Sequence, residues 1–296
     1  MLSKKFIGLM LVGVSAGGAN AAEMDRPLTA FPPEEVVYID QETTTAANPF
    51  TGNVEASFNG GKTDLSDLDN QTWALRGALN YAFGGGLNVQ ADVDWGQTHI
   101  DDGDLDRMSG TGHIYYRPVE DYAVGAFVQT SKYGTGYFDA LGTGSFGDDD
   151  ITDTIGGIEG AYFNDLATFY GGAGYGQADF SGIAVDHLMG RMGVRYFLTD
   201  NLRFDVEGQL HRFSEDEADL DARSFKTVIN FRLESLPTTF FAGYRYDEWE
   251  PSISDVSLGK ERNHSLLAGV KFSFGSNSLK DEERNGPIWS TSSLLP

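Results

Sequence analysis

The sequence predicts an all-β protein, a transmembrane antiparallel up-and-down β-barrel of about 12 strands. The first observation is the segment LNVQADVDWGQT at 87–98, in which apolar and polar residues alternate strictly. A period of two is typical of a β-strand with one apolar face, and the length matches the roughly 9–11 tilted residues that cross a bilayer within a barrel. The second observation is that this pattern recurs along the chain. The third is that short and long connections alternate between its occurrences.

The N-terminal residues 1–21 match a secretory signal peptide. Lys4 and Lys5 form a basic start, residues 6–14 form a short apolar core, and Ala19-Asn20-Ala21 supplies small residues for cleavage. The apolar core is too short to span a membrane, which disfavours the alternative of an N-terminal anchor. We therefore expect the chain to be exported.

Two flanking segments lack a sustained period. Residues 22–51 are acidic and contain Pro27, Pro32 and Pro33, which predicts a flexible N-terminal periplasmic segment. The alternative is that this segment enters the barrel as a plug. Residues 275–296 are polar, and we expect them to form a C-terminal periplasmic tail, which leaves 52–274 for the barrel.

The composition excludes several classes of protein. The net charge of −23 disfavours binding to nucleic acid, which rewards clustered Lys and Arg. The chain has no cysteine, so neither a disulfide nor lipid attachment through a cysteine is available. Beyond the signal peptide there is no run of 18 apolar residues, which excludes a helix that crosses a membrane.

The strand pattern occurs in twelve segments. They are 52–59, 71–83, 87–98, 109–118, 122–131, 151–163, 167–177, 185–197, 201–213, 223–234, 238–248 and 264–274. The short connections are 84–86, 119–121, 164–166, 198–200 and 235–237, and the long, mostly acidic ones are 60–70, 99–108, 132–150, 178–184, 214–222 and 249–263. This alternation is typical of bacterial barrels and predicts that both termini lie at the short-turn, periplasmic end. A soluble β-sandwich, the alternative, gives no reason for it.

Charged residues are confined to one face of most strands. In 185–197, for example, Leu188 and Met192 oppose His187, Arg191 and Arg195. A Lys or Arg that faces lipid at the midplane costs about 2–4 kcal/mol, so we expect the charged face to point inward. The sixth segment changes its pattern near Gly156–Gly157, which predicts a bulge or a bend.

The last segment, LLAGVKFSF, resembles the assembly signal of outer-membrane barrels. Gly269, Phe272 and Phe274 have the glycine and paired-aromatic spacing of that signal, although Leu267 replaces a polar residue and the chain continues beyond Phe274. The chain is therefore similar to porin-like bacterial outer-membrane barrels. The resemblance implies outer-membrane lipid, lipopolysaccharide and the barrel-assembly machinery as partners, with a homo-oligomer as an open alternative.

The predicted lumen is the part of the barrel where charged side chains come together. The predicted pore-lining residues are Arg76, Asp92, Asp94, Arg191, Arg195, Arg203, Asp205, Glu207, Lys226, Arg232, Arg245 and Lys271. Porin-like channels are similar in having a basic wall opposite an acidic one. We therefore expect a channel for passive diffusion of small hydrophilic solutes or ions. The alternative is a non-conducting structural or surface-interaction barrel that acts through its acidic extracellular loops, with salt bridges filling the lumen.

Neither catalysis nor a metal or cofactor is expected. No histidine has a serine two residues later, the spacing of the outer-membrane phospholipase, and His264 and Ser265 are adjacent, so they face opposite ways on a strand. The acidic segments 64–70, 101–106 and 147–150 lack the full calcium-loop pattern, and solvated loops are the favoured interpretation.

Overall fold

A computed structural model of the chain describes residues 49–64, 69–100, 103–119, 121–134, 151–180, 182–215, 218–254 and 256–291. The predicted signal peptide and most of the predicted N-terminal segment lie outside these residues. The acidic segment 147–150 also lies outside them, as do parts of 64–70 and 101–106.

The twelve predicted strands are confirmed, and most extend beyond their predicted bounds. They are β1 (Phe50–Thr63), β2 (Asp69–Gly84), β3 (Leu87–Ile100), β4 (Gly103–Val119), β5 (Tyr122–Tyr133), β6 (Ile151–Phe163), β7 (Ala167–Phe180), β8 (Ile183–Thr199), β9 (Leu202–Glu215), β10 (Ala218–Arg232), β11 (Thr238–Ile253) and β13 (Glu261–Phe274). A two-residue strand, β12 (Val256–Ser257), precedes β13, and the helix α1 (Leu279–Asn285) follows it.

The strands form a closed antiparallel barrel. From β1 to β11 each strand pairs with the next one along the chain, and β13 pairs with both β11 and β1. The β1–β13 pairing runs from Gly52 opposite Phe274 to Thr63 opposite Asn263 and closes the sheet. Closure matters because an exposed sheet edge cannot be tolerated in lipid.

The barrel is apolar outside and polar inside. Trp73, Met192 and Leu266 on the outer face are 61%, 72% and 70% exposed, whereas Asn80 and Gln90 on the inner face are at most 1% exposed. A water-soluble protein buries its large apolar side chains, and a barrel embedded in lipid presents them outward. The predicted strand faces are confirmed, and the outer surface is that of a β-barrel embedded in a lipid membrane.

The predicted bulge at Gly156–Gly157 is wrong. The strand β6 pairs with β5 and β7 without a register shift through both glycines. Gly157 instead makes room for a neighbour, because a Cβ atom there would lie 2.6 Å from Cε1 of Phe127 and 2.2 Å from the carbonyl oxygen of Ala173. The phenyl ring of Phe127 therefore occupies the space over this glycine, on the inner face.

The predicted periplasmic tail also needs correction, because residues 275–291 fold back into the barrel. Gly275 has φ +79°, a conformation that favours glycine, and it turns the chain at the end of β13. The hydroxyl of Ser278 then caps α1 by accepting from the backbone N–H of Asp281 at 3.0 Å. Leu279 and Trp289 are at most 2% exposed. Within the described residues, no helix has both the length and the apolar character needed to cross a membrane.

Candidate functional site: a lumen occupied by the C-terminal segment

All twelve residues predicted to line a pore have their side chains on the inner face of the barrel. Eight are buried, namely Asp92, Arg191, Arg195, Arg203, Glu207, Arg232, Arg245 and Lys271. The other four border a cavity in the lumen, namely Arg76, Asp94, Asp205 and Lys226. The strand period was sufficient to place them because successive side chains in a strand point to opposite faces. That they line a conducting pore stays a prediction.

The expected separation into a basic and an acidic wall is not what the described residues show. Cations and carboxylates instead lie side by side as ion pairs along the lumen. The pairs are Arg76–Asp92 at 3.2 Å, Arg107–Asp94 at 2.5 Å, Arg203–Asp205 at 2.7 Å, Lys226–Glu207 at 3.2 Å and Arg245–Asp247 at 2.8 Å. Each of these charges is therefore neutralised locally by a neighbour on the wall.

The short-turn end of the barrel is the end that carries the short connections between strands. Here Glu283 of α1 binds two arginines of the wall. Nη1 of Arg195 lies 2.7 and 2.8 Å from the two oxygens of Glu283, and Nη1 of Arg203 lies 3.3 Å from one of them. The guanidinium of Arg195 also lies 4.4 Å from the ring centroid of Tyr170. Buried ion pairs of this kind depend on such additional contacts, because removing charges from water is costly.

The neighbouring Glu282 binds the opposite side of the same end. Its carboxylate accepts from Nζ of Lys271 at 2.8 Å, from Oγ of Ser273 at 2.7 Å and from Nδ2 of Asn53 at 3.1 Å, and Nη1 of Arg232 lies 3.8 Å away. Burial would raise the pKa of the Glu282 carboxyl. The charge of Lys271 and the hydrogen bonds from Lys271 and Ser273 outweigh this effect, so the pKa lies below its ordinary value of 4.5.

Further into the lumen, the wall binds the backbone of the C-terminal segment. Oε1 of Gln90 accepts from the N–H groups of Ile288 and Trp289 at 3.0 and 3.2 Å. Nε2 of Gln90 and Nη2 of Arg76 donate to the carbonyl oxygen of Trp289 at 2.9 and 3.0 Å. Arg191 donates to the carbonyl oxygen of Ser290. These bonds satisfy backbone groups that would otherwise be buried without partners.

A network of side chains holds these wall donors in place. His113 lies 2.9 Å from Asp92 and 2.8 Å from Glu159 through its two ring nitrogens. Asp92 in turn pairs with Arg76, and Glu159 pairs with Arg191 at 3.0 Å. Arg76 and Arg191, which donate to the carbonyl oxygens of Trp289 and Ser290, are therefore connected through one buried histidine.

An apolar patch inside the polar lumen receives the end of the segment. Ile288 and Trp289 pack with an apolar cluster from β4 to β7, whose members are Tyr115, Ala123, Ala161, Phe163 and Tyr170. The rings of Trp289 and Tyr115 meet edge to face at 6.0 Å. Complete burial of one large apolar side chain stabilises by about 1.5–3 kcal/mol, so the two anchors contribute substantially to docking.

The segment does not fill the whole lumen. A cavity of about 240 Å³ lies between residues 287–291 and the facing wall. Charged and amide side chains line much of it, among them Asn53, Glu55, Asp94, Arg107, Glu207, Lys226, Asn230 and Arg245. A polar space of this size has room for several water molecules or a small solute.

A second histidine cluster lies on β8 and β9. Nδ1 of His187 is 2.9 Å from Asp153, and Nε2 of His187 is 3.0 Å from Nδ1 of His211. His187 also stacks on Phe213 at 4.0 Å. Across the described ranges, no group of three or more His, Cys, Asp or Glu residues is arranged to hold a metal ion.

Reasoning from the sequence missed the residues that occupy the lumen. Glu282, Glu283, Ile288 and Trp289 all belong to the tail assigned to the periplasm. One signal was available, namely a Gly-Pro-Ile-Trp run shortly after the three acidic residues at 281–283. Ile and Trp are usually buried in proteins, so their presence near the end of a polar tail favours a docked anchor over a solvated segment.

Comparisons with known proteins agree with the barrel fold and show nothing about function. No protein-family model and no curated protein matches the chain. It is similar to the solved translocator domain of the autotransporter NalP from Neisseria meningitidis, at 12% identity over 78% of this chain and 90% of that one, with a TM-score of 0.46. The NanC porin matches at 13% identity over 73% and 98% (TM-score 0.48), and an anion-selective porin from Comamonas acidovorans at 8% over 76% and 98% (TM-score 0.44). Likeness at this level carries no argument about function.

Proposed function

We propose that this protein is an outer-membrane channel for passive diffusion of small hydrophilic solutes or ions, and that its C-terminal segment acts as a plug. The observation that carries the proposal is the docking of residues 275–291 inside a lumen that keeps a polar cavity beside them. The plug is held by ion pairs, hydrogen bonds and two apolar anchors, without a covalent link. Such contacts can dissociate as a unit and leave a charged, water-filled passage.

Barrel size is compatible with this role. Barrels of 8 strands are filled by their own side chains, and those of 16 strands leave an aqueous channel. A barrel of twelve strands lies between these limits, and here the C-terminal segment accounts for part of the filling. Withdrawal of the segment would join the cavity to the short-turn end of the barrel.

The second candidate is a non-conducting barrel that acts through its acidic long loops. The observation in its favour is the set of ion pairs along the wall, such as Arg107–Asp94 and Arg245–Asp247. These pairs would remain after withdrawal of the plug and could hold the lumen too narrow for solutes. In this reading the C-terminal segment simply completes the core of the barrel.

Conductance in planar bilayers separates the two candidates. The refolded full chain is compared with a Glu282→Gln/Glu283→Gln variant, which weakens the plug but keeps every strand residue. The control is Asp165→Asn/Glu234→Gln, which neutralises two exposed acids in short turns. We expect discrete current steps that are rare in the full chain and the control and frequent in the plug variant. No current steps in any of the three proteins, over a range of voltage and pH, would favour the non-conducting barrel.

A further inference from the structure

Four cations meet at the short-turn end of the lumen. They are Arg195, Arg203, Arg232 and Lys271, and each is at most 9% exposed. We call this group the mouth cluster. It comes from strands β8, β9, β10 and β13, so the closed barrel is needed to assemble it.

The strands themselves do not neutralise the mouth cluster. Among the described strand residues, the carboxylates beside it are Asp205, which pairs with Arg203, and Glu55, which lies opposite Lys271 across the β1–β13 pairing. Four cations against two carboxylates leave an excess of two positive charges. Glu282 and Glu283 of the plug carry the two negative charges that balance it.

The contacts at the cluster are those of a built anion site. Arg195 faces both oxygens of one carboxylate, and Lys271, Ser273 and Asn53 converge on the other. Charge-assisted hydrogen bonds are stronger and more directional than neutral ones, so the site favours oxyanions over halide ions. Low dielectric around buried groups strengthens the preference further.

We propose that the mouth cluster is the solute-binding site of the channel, that it takes dianions with two carboxylates, and that the plug occupies it as an internal competitor. The proposal rests on the proposed channel function and names its solute class. Binding of such a dianion and docking of Glu282 and Glu283 exclude each other. A solute of the right chemistry therefore releases the plug, and the coupling between the two events is reciprocal.

A spin label on the plug tests this without any current measurement. The chain contains no cysteine, so Thr291→Cys offers one attachment site for a nitroxide at the end of the docked segment. The labelled full chain in lipid vesicles is titrated with sodium succinate, and separately with sodium chloride at matched ionic strength and with neutral succinamide. The fraction of mobile label in the electron paramagnetic resonance spectrum reports release of the plug.

We expect succinate to release the plug at an ionic strength about tenfold lower than sodium chloride does, within the range typical of coupled binding. Succinamide should have no effect. Equal responses to succinate and chloride would mean that salt screening alone releases the plug, and would overturn the proposal. Because the label reports docking, this result is independent of whether the barrel conducts.

Matched variants locate the site. Arg195→Gln and Lys271→Gln, made separately, should each abolish the difference between succinate and chloride. Arg212→Gln, a half-exposed arginine outside the cluster, should keep it. Heat-modified migration on gels checks that each barrel has folded.

As a second measurement, succinate should quench the sodium chloride current of the Glu282→Gln/Glu283→Gln variant, which retains all four cations. A difference between succinate and chloride that survives in both folded cluster variants would overturn the assignment.

Discussion

Arg195 on β8 and Glu283 in α1 lie 88 residues apart in the chain and form a buried ion pair at 2.7 Å. This pair changes the role that can be assigned to Arg195. On the strand pattern alone, Arg195 faces an aqueous lumen and attracts anions. In the fold its charge is balanced by the chain's own C-terminal segment, as are the charges of its neighbours Arg203 and Lys271.

The selectivity of the channel should therefore depend on the state of the plug. In the undocked state, the four cations of the mouth cluster predict a mild preference for anions, and the ion pairs with Glu283 suppress this preference while the plug is docked. We expect Arg195→Gln/Arg203→Gln to shift the reversal potential toward cations when it is added to Glu282→Gln/Glu283→Gln. The measurement is the zero-current potential across a bilayer in a salt gradient. An unchanged potential in a conducting variant would show that these arginines serve only as structural ion pairs.

The apolar anchor of the plug should be as important as its charges. Trp289→Ala removes a buried indole, and such truncations cost about 3–5 kcal/mol where the cavity cannot collapse. We expect residues 279–291 to lose protection in hydrogen–deuterium exchange while the strands keep theirs. The control is Trp73→Ala, because Trp73 is 61% exposed on the outer face and should leave the plug docked. Full protection of the segment in Trp289→Ala would contradict the assigned role of the anchor.

Acid should release the plug. The docked pKa of Glu282 lies below its ordinary value of 4.5, so ionisation of this group stabilises the docked state above that value. The stabilisation is lost as the pH falls through the docked pKa, because the protonated carboxyl no longer pairs with Lys271. We expect the mobile fraction of a nitroxide at Thr291→Cys to rise as the pH falls below 4.5. The Glu282→Gln variant should show a smaller rise, and an identical rise would mean that other groups control release.

The direction of the barrel in the membrane can be tested by labelling intact cells. We expect an impermeant thiol reagent to reach single cysteines placed near Gly144 or Asp255, in the long connections. Both positions lie outside the described residues. The reagent should not reach cysteines at Gly85 or Thr199, which the fold places at the short-turn end. Labelling of the short-turn cysteines from outside would reverse the predicted orientation.

The sequence by itself determined the barrel and the contents of its wall. Alternation such as that of Asp92, Val93 and Asp94 assigns each side chain to lipid or lumen, because successive residues of a strand point to opposite faces. The same rule placed all twelve predicted charges inside. It failed locally at Gly156–Gly157, where a gap in the pattern predicted a bulge, although the glycine instead accommodates Phe127 from the neighbouring strand.

Only the tertiary structure decided what the luminal charges bind. The strand period is a local property, and it carries no information about which residues distant in the chain will meet. Arg195, Arg203, Arg232 and Lys271 become one site because closure of the barrel joins β13 to β1 and β11. Glu282 and Glu283 reach that site because the turn at Gly275 directs a polar tail into the barrel. A buried cation requires a partner, and the tail supplies one where the strands do not.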